Sequence, residues 1–337
     1  MLTDVVRKDW NYDGLLISDS SAVKDYLAAF NAGLDWEMPY SVNAAKAIED
    51  GVRSGKMDAK VLDAHCRRIL MTVQKYSREG KALETVDYAQ HHKLAQKAAS
   101  ECAVLLKNER NLLPLKPDAY MTIAVLGMVA EKPVFQGSGC ACVPAKTVDS
   151  PLQEIRLACQ ETTQVVYMPG YDESDNMSDE GLQAAVKAAV SADVAIVFAA
   201  ARLPLETDDY NRKDMRLVAS HDKLIEEVAK AQKNTIVILN NGEAVELPWA
   251  DRVSSILDMW YTGEGSGKAV ADLIFGKENP SGKLAVSMPY RLEDTPAYFN
   301  FPGENHRIVY GEGIYVGYRY YEKKKIPVRY PFGHGLS

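Results

Sequence analysis

An α/β fold in two regions is what this sequence predicts, and three observations carry the prediction. Short apolar runs alternate with stretches of helical periodicity along most of the chain. Several runs are continuous rather than alternating, such as TIAVLG (122–127) and DVAIVFAA (193–200), the pattern of strands buried on both faces of a parallel sheet. A polar stretch rich in Glu, Asp, His and Gln, about 77–96, interrupts the alternation and divides it in two.

The first region reads as a partial βα pattern. GLLISD (14–19) is a short strand ending in polar residues. KDYLAAFNAG (24–33) has helical spacing and stops at Gly33, as a helix stops at a glycine just past its end. LDWEMP is a second strand, closed by Pro39. NAAKAIEDGVRSG (43–55) and MDAKVLDAHCRRILMTVQKY (57–76) are two further helices. Residues 77–120 read as a linker. It contains a helix from His91 through HHKLAQKAASECAVLLKN, followed by the extended LLPLK.

From Met121 the alternation becomes regular. Strands are expected at TIAVLG, TQVVYMPG, DVAIVFAA, TIVILNNG and SILDMWYTG. Helices are expected at PLQEIRLACQE, EGLQAAVKAAVSA, HDKLIEEVAKAQKN and SGKAVADLIFG. Helices of this length between strands imply a mostly parallel sheet covered on both faces, in a second domain over 121–337. Such sheets bind ligands outside the carboxyl ends of their strands. An aromatic, glycine-rich tail follows.

Composition excludes several functions. The 337 residues carry a net charge of −7, 47% apolar and 25% charged residues, as in ordinary globular chains. The acidic balance argues against a nucleic-acid partner, and Lys323–Lys325 is a short solvated run. No apolar stretch approaches the roughly 18 residues that span a membrane. The five cysteines are an odd number, thinly spread. Cys140 and Cys142 are too close for a zinc knuckle, so neither a disulfide framework nor a metal is expected. The compartment stays open. No cofactor is implied: Gln136-Gly137-Ser138-Gly139 lacks the dinucleotide spacing, and no glycine fingerprint opens the helix after TIAVLG. No G-x-S-x-G elbow suggests a serine nucleophile. The adjacent His91 and His92 are expected to be exposed on a helix.

Two carboxylate sites remain. Asp19 lies where an apolar run ends in Ser18-Asp19-Ser20-Ser21. It reads either as a strand-end nucleophile or base, or as the N-cap of the next helix. The loop after DVAIVFAA carries Glu206, Asp208 and Asp209 before Arg212. Clustered carboxylates can hold one proton at raised pKa, as a general acid requires. The same loop also reads as a solvated acidic turn.

Together these runs resemble one family. YDGLLISDSSAVKDYLAAFNAGLDWEMP is similar to a glycoside hydrolase family 3 segment in which a strand ends in Ser-Asp-Trp and leads to Ala-Gly-Leu-Asp-Leu-Glu-Met-Pro. AQKAASECAVLLKNERNLLPL resembles the family's linker. IAVLG with QGSGC, NPSGKLAVSMP, YGEGIYVGYRYY and PFGHGLS resemble successive landmarks of its second domain. The resemblance implies the C-terminal portion of a (β/α)8 barrel (1–76), followed by an α/β sandwich. It implies retaining hydrolysis of β-glucosides or β-xylosides from the non-reducing end. By position, Asp19 matches the nucleophile. The family run similar to Glu-Ser-Glu-Gly-Tyr-Asp-Arg places the acid/base on Asp208, with Glu206 as the fallback. A retaining pair needs its carboxyls roughly 5–5.5 Å apart.

The sequence also departs from the family. Asp208 stands for Glu and is one methylene shorter, and Ser20 stands where the family usually has Trp. The barrel strands that would precede Met1 are expected to come from a missing N-terminal segment or a partner, a homo-oligomer included. A second reading follows, a catalytically weak or inactive carbohydrate-binding remnant of the family. A third, a Rossmann-like nucleotide binder, is disfavoured by the missing fingerprint.

Overall fold

A computed structural model describes residues 1–77, 85–116, 121–201 and 213–337. The chain divides into two compact units, Met1–Val86 and Asp87–Ser337.

The first unit opens with a π-helical turn, Leu2–Asp9. Strand β1 (Ile17–Ser20), helix α1 (Tyr26–Asn31), strand β2 (Trp36–Met38) and helices α2 (Val42–Arg53) and α3 (Ala59–Tyr76) follow. Each α-helix starts at a side-chain cap, as orphan amide groups require. Asp25, Ser41 and Asp58 accept from the N–H groups of Ala28, Ala44 and Lys60, at 2.9, 3.3 and 2.9 Å. The two strands pair in parallel, Ile17 opposite Trp36 and Ser20 opposite Met38. The apolar core is small: Phe30, Leu34 and Met57 are buried, with Leu2, Val23, Leu27 and Ile48 packed against them.

A charged pin supplements that core. The Asp35 side chain is fully buried. Its Oδ1 accepts from Arg68 Nε at 2.7 Å and lies 2.6 Å from His65 Nδ1. Its Oδ2 accepts from Arg7 Nη2 at 2.5 Å and from the Leu16 N–H at 2.9 Å. Burial pushes this carboxyl up, but the hydrogen bonds from His65, Arg68 and Leu16 and the Arg68 charge outweigh it, and its pKa falls to about 2.

The second unit is an α/β sandwich. Helix α4 (Tyr88–Cys102) leads to β3 (Val104–Asn108). Then come β4 (Met121–Leu126), α5 (Pro151–Ala158), β5 (Thr163–Met168), α6 (Asp179–Ser191), β6 (Val194–Ala200), α7 (Ala219–Ala231), β7 (Thr235–Asn240), β8 (Ser255–Asp258) and α8 (Ser266–Ile274). The sheet order is β3-β8-β7-β6-β4-β5. All its pairings are parallel except β3 with β8. Leu182, Ala185 and Ala189 of α6 pack one face with Leu224, Ile225 and Val228 of α7. Ala99 of α4, Leu152 and Ile155 of α5, and Val270 and Ile274 of α8 pack the other. The continuous apolar runs are explained by these two layers, since every residue of β6 and β7 is buried. A two-stranded antiparallel pair, β9 (Met288–Pro289) with β10 (Val328–Tyr330), flanks α9 (Tyr318–Lys324).

The α/β class and the mostly parallel sheet stand as the sequence predicts, with three differences. The segment assigned to a linker (77–120) joins the second unit from Asp87 on. Its helix does not run through VLLKN. Val104 and Leu106 are buried with Leu105 half-buried, and this near-alternation suits an edge strand covered by helices better than another helical turn. The strand expected at SILDMWYTG, β8, stops at Asp258, because Trp260 turns the chain with φ at 53°.

Candidate active site

Asp19 sits at the carboxyl end of β1, beside the carboxyl end of β2, and is exposed. Its own neighbours hold it. Ser20 N–H donates to Asp19 Oδ1 at 2.7 Å. Ser18 Oγ donates to the Asp19 carbonyl at 2.9 Å and accepts from Met38 N–H at 2.9 Å, which stitches the two strand ends together. Ser21 then takes a left-handed conformation (φ 56°), with its N–H on the Met38 carbonyl at 2.9 Å. The cap reading of Asp19 is overturned: the following helix is capped by Asp25. The pin at Asp35 grips Leu16 just before β1, and the Asp35 and Trp36 N–H groups donate to the Leu16 carbonyl at 3.0 and 3.1 Å. A carboxylate is thus presented to solvent on a locally braced strand end.

Glu206 and Asp208 lie outside the described residues. The strand that leads to them, β6, runs to the carboxyl edge of the sheet at its switch point. There β4 and β6 are neighbours whose connections depart in opposite directions, to β5 and to β7. This edge is tightly built. Tyr171 Oη donates to the Phe198 carbonyl at 3.1 Å. A side chain on Gly127 (φ 101°) would strike that same carbonyl, 2.4 Å from its first carbon. His221, fully buried, accepts from Ala200 N–H at 3.1 Å, places Nε2 3.0 Å from Asp175 Oδ1, and stacks on Tyr171 at 4.1 Å.

Sequence reasoning missed two other groups at the edge. Asp258, fully buried at the end of β8, is pushed up to about 7 by burial, although Trp260 N–H donates to it at 3.0 Å. His92, expected to be exposed on its helix, is instead half-buried between carboxylates: Nδ1 lies 2.7 Å from Glu264 Oε1 and Nε2 lies 2.9 Å from Asp149 Oδ1. His91 alone of the pair is exposed. The His-His dipeptide could not reveal this, since both acceptors are distant in sequence. Beside Glu264 opens a cavity of about 770 Å³ lined by Phe135, Gln136, Val143, Trp260 and Tyr261. Among the described residues no cluster of His, Cys, Asp and Glu has metal-binding geometry. None of the described helices is long and apolar enough to cross a membrane.

Comparison with known proteins places these features in one family. Residues 103–337 match the model of the glycosyl hydrolase family 3 C-terminal domain. The whole chain is 42% identical to thermostable β-glucosidase B of Acetivibrio thermocellus and 36% identical to an exo-α-(1→6)-L-arabinopyranosidase of Bifidobacterium longum. It spans 45% of the length of each, about half of these curated relatives. Among solved structures it superposes on the family 3 β-glucosidase of Bifidobacterium adolescentis with a TM-score of 0.87 at 35% identity, covering 99% of this chain and 49% of that one. β-Glucosidase 3B of Thermotoga neapolitana, in complex with glucose, gives 0.81 at 29% identity, covering 100% and 52%. The chain belongs to glycoside hydrolase family 3.

Proposed function

From membership in family 3, we propose that this chain carries the nucleophile and the acid/base of a retaining glycosidase acting on β-glucosides or β-xylosides from the non-reducing end. The observation that carries the reading is Asp19: an exposed carboxylate at the carboxyl end of a parallel strand, which is where barrel enzymes build their sites. In this reading Asp19 attacks the anomeric carbon and forms a covalent glycosyl-enzyme. Asp208, with Glu206 as its alternative, protonates the leaving oxygen and then activates the hydrolytic water. The family relationship to β-glucosidase B supports a glucoside. The arabinopyranosidase, at similar identity, makes a pentopyranoside the natural comparison substrate.

A second reading is a weak or inactive carbohydrate-binding remnant. Ser20 in place of Trp favours it, since it removes an aromatic face beside Asp19. One experiment separates the two. The full chain is incubated with 2-fluoro β-glucosides and β-xylosides and digested with pepsin, and the labelled peptide is sequenced by mass spectrometry. A label on Asp19, absent in Asp19→Ala, is expected. A label elsewhere with Asp19 clean overturns the nucleophile assignment. No label at any concentration supports the remnant.

A further inference from the structure

His92 is placed where a neutral imidazole does not fit. A neutral ring donates from one nitrogen and offers a lone pair at the other. Here both ring nitrogens face carboxylate oxygens, at 2.7 Å on the Glu264 side and 2.9 Å on the Asp149 side. One of those contacts would set a lone pair against a carboxylate unless both nitrogens carry protons. The geometry therefore calls for the imidazolium. The electrostatics agree: the Glu264 hydrogen bond raises the imidazole above its ordinary pKa against the opposing effect of burial, and Asp149 adds to it.

Three separate pieces of the second unit meet at this ring. His92 belongs to α4, Asp149 precedes α5, and Glu264 lies between β8 and α8. Their backbones are in close contact. A side-chain carbon on Gly265 would lie 2.5 Å from the Gln96 nitrogen, and one on Gly267 would lie 2.4 Å from the Asp149 carbonyl. Asp149 N–H donates to the Glu264 carbonyl at 2.9 Å, and Gly263 N–H to the Phe135 carbonyl at 2.8 Å. The backbones are fixed, so freedom at this junction resides in the side chains. Of the two carboxylates Asp149 has a second donor, Gln96 Nε2 at 2.8 Å, whereas the ring holds the Glu264 carboxyl at the cavity that Glu264 lines.

The charges around the ring are unequal. On the acidic side, besides Asp149 and Glu264, stands Glu154 of α5, which burial and Asp149 hold above its usual pKa. On α8, Lys268 pairs with Asp272. Lys146 lies over the Tyr88 ring, 4.0 Å from its centre. Thr147 Oγ1 lies 3.3 Å from His92 Nδ1. Loss of the His92 proton would leave the Asp149 and Glu264 carboxyls facing a ring that can satisfy only one of them.

We propose that His92 is a proton-operated clamp: protonated, it ties Glu264 to Asp149 and holds it against α4, and deprotonated, it releases Glu264 into the cavity walled by Trp260 and Tyr261. The device changes the charge and shape of that cavity with pH. It stands apart from the glycosidase reading.

The test uses the full chain. His92 is titrated by NMR of ring-labelled histidine, assigned with His92→Gln. In parallel, 5-fluorotryptophan gives four 19F signals, one for each tryptophan, and Trp260→Phe assigns the relevant one. His92 is expected to titrate above the ordinary imidazole value of about 6.5, and both Glu264→Gln and Asp149→Asn are expected to lower its midpoint. The Trp260 signal is expected to move with the same midpoint and to lose that movement in His92→Gln. If His92→Gln does not fold, Glu264→Gln must shift the Trp260 and His92 midpoints together. A His92 midpoint at or below the ordinary value overturns the proposal. So does a Trp260 signal that stays still while His92 titrates.

Discussion

The two units bury carboxylates in opposite ways. In the first, Asp35 is surrounded by Arg7, Arg68, His65 and the Leu16 N–H and is held at about 2. In the second, Asp258 has a backbone N–H and an amide for company, and burial holds it at about 7. The surroundings explain the contrast. Among the described residues the first unit buries four apolar side chains, Phe30, Leu34, Ala44 and Met57, and relies on a charged pin to hold β1 to β2. The second has two deep apolar layers and tolerates an unfavourable carboxyl at a strand end. A buried charge is a brace where guanidinium groups pair it and a burden where no cation does.

The charged brace is tested most forcefully at Asp35. Asp35→Ala removes the acceptor for two guanidinium groups and leaves them facing a small core. The expected loss is about 3 kcal/mol in the first unit, at the low end for a broken buried pair because the arginines keep partial contact with water. Denaturant unfolding followed by far-UV circular dichroism and by Trp36 fluorescence measures it. A loss under about 1 kcal/mol would mean that the strands are held by packing alone.

Acid should move the two units in opposite directions. The folded pKa of Asp35 lies below its ordinary 3.8, so its contribution is full above that value and is lost as pH falls through about 2. The loss is on the order of 2 kcal/mol. The folded pKa of Asp258 lies above 3.8, so its folded form takes up a proton first, and lowering the pH from about 7 to about 4 should stabilise the second unit. Asp222, held up to about 6 by burial, acts in the same direction. Thermal melts at pH 3, 5 and 7.5, with Asp258→Asn as control, test this. Asp258→Asn should raise stability at pH 7.5 and flatten the profile. Parallel responses of both units would defeat the comparison. The smallest effect is local: Asp58→Ala removes the cap of α3 and should cost about 1 kcal/mol, read as a fall in the denaturation midpoint of the first unit.

The sheet was legible in the sequence because its strands are all-buried runs, and a run such as Val194–Ala200 carries its signal locally. The edge strand β3 was not, since Val104–Asn108 continues directly from a helical pattern and only pairing with β8 makes it a strand. Asp19 was singled out by its place at the end of an apolar run. Spacing alone favoured a cap over a site at Asp19, because both want a short carboxylate at the same position, and it is Asp25 that caps the helix. Asp35 and His92 went unseen for one reason. Their partners come from positions 7, 65 and 68, and from 149 and 264, and no local pattern records such meetings.

The antiparallel pairing of β3 with β8 has a consequence for how the chain is made. The two strands are separated by about 150 residues, so β3 leaves the ribosome long before its neighbour exists. At roughly 5–20 residues per second, that gap lasts from about eight seconds to half a minute. During it Val104 and Leu106, destined for the core, have no cover from β8. Closing so long a loop also delays the non-local contacts that reward folding. The edge of the sheet is therefore a part of this protein whose completion waits on synthesis, and one on which a chaperone would have time to act.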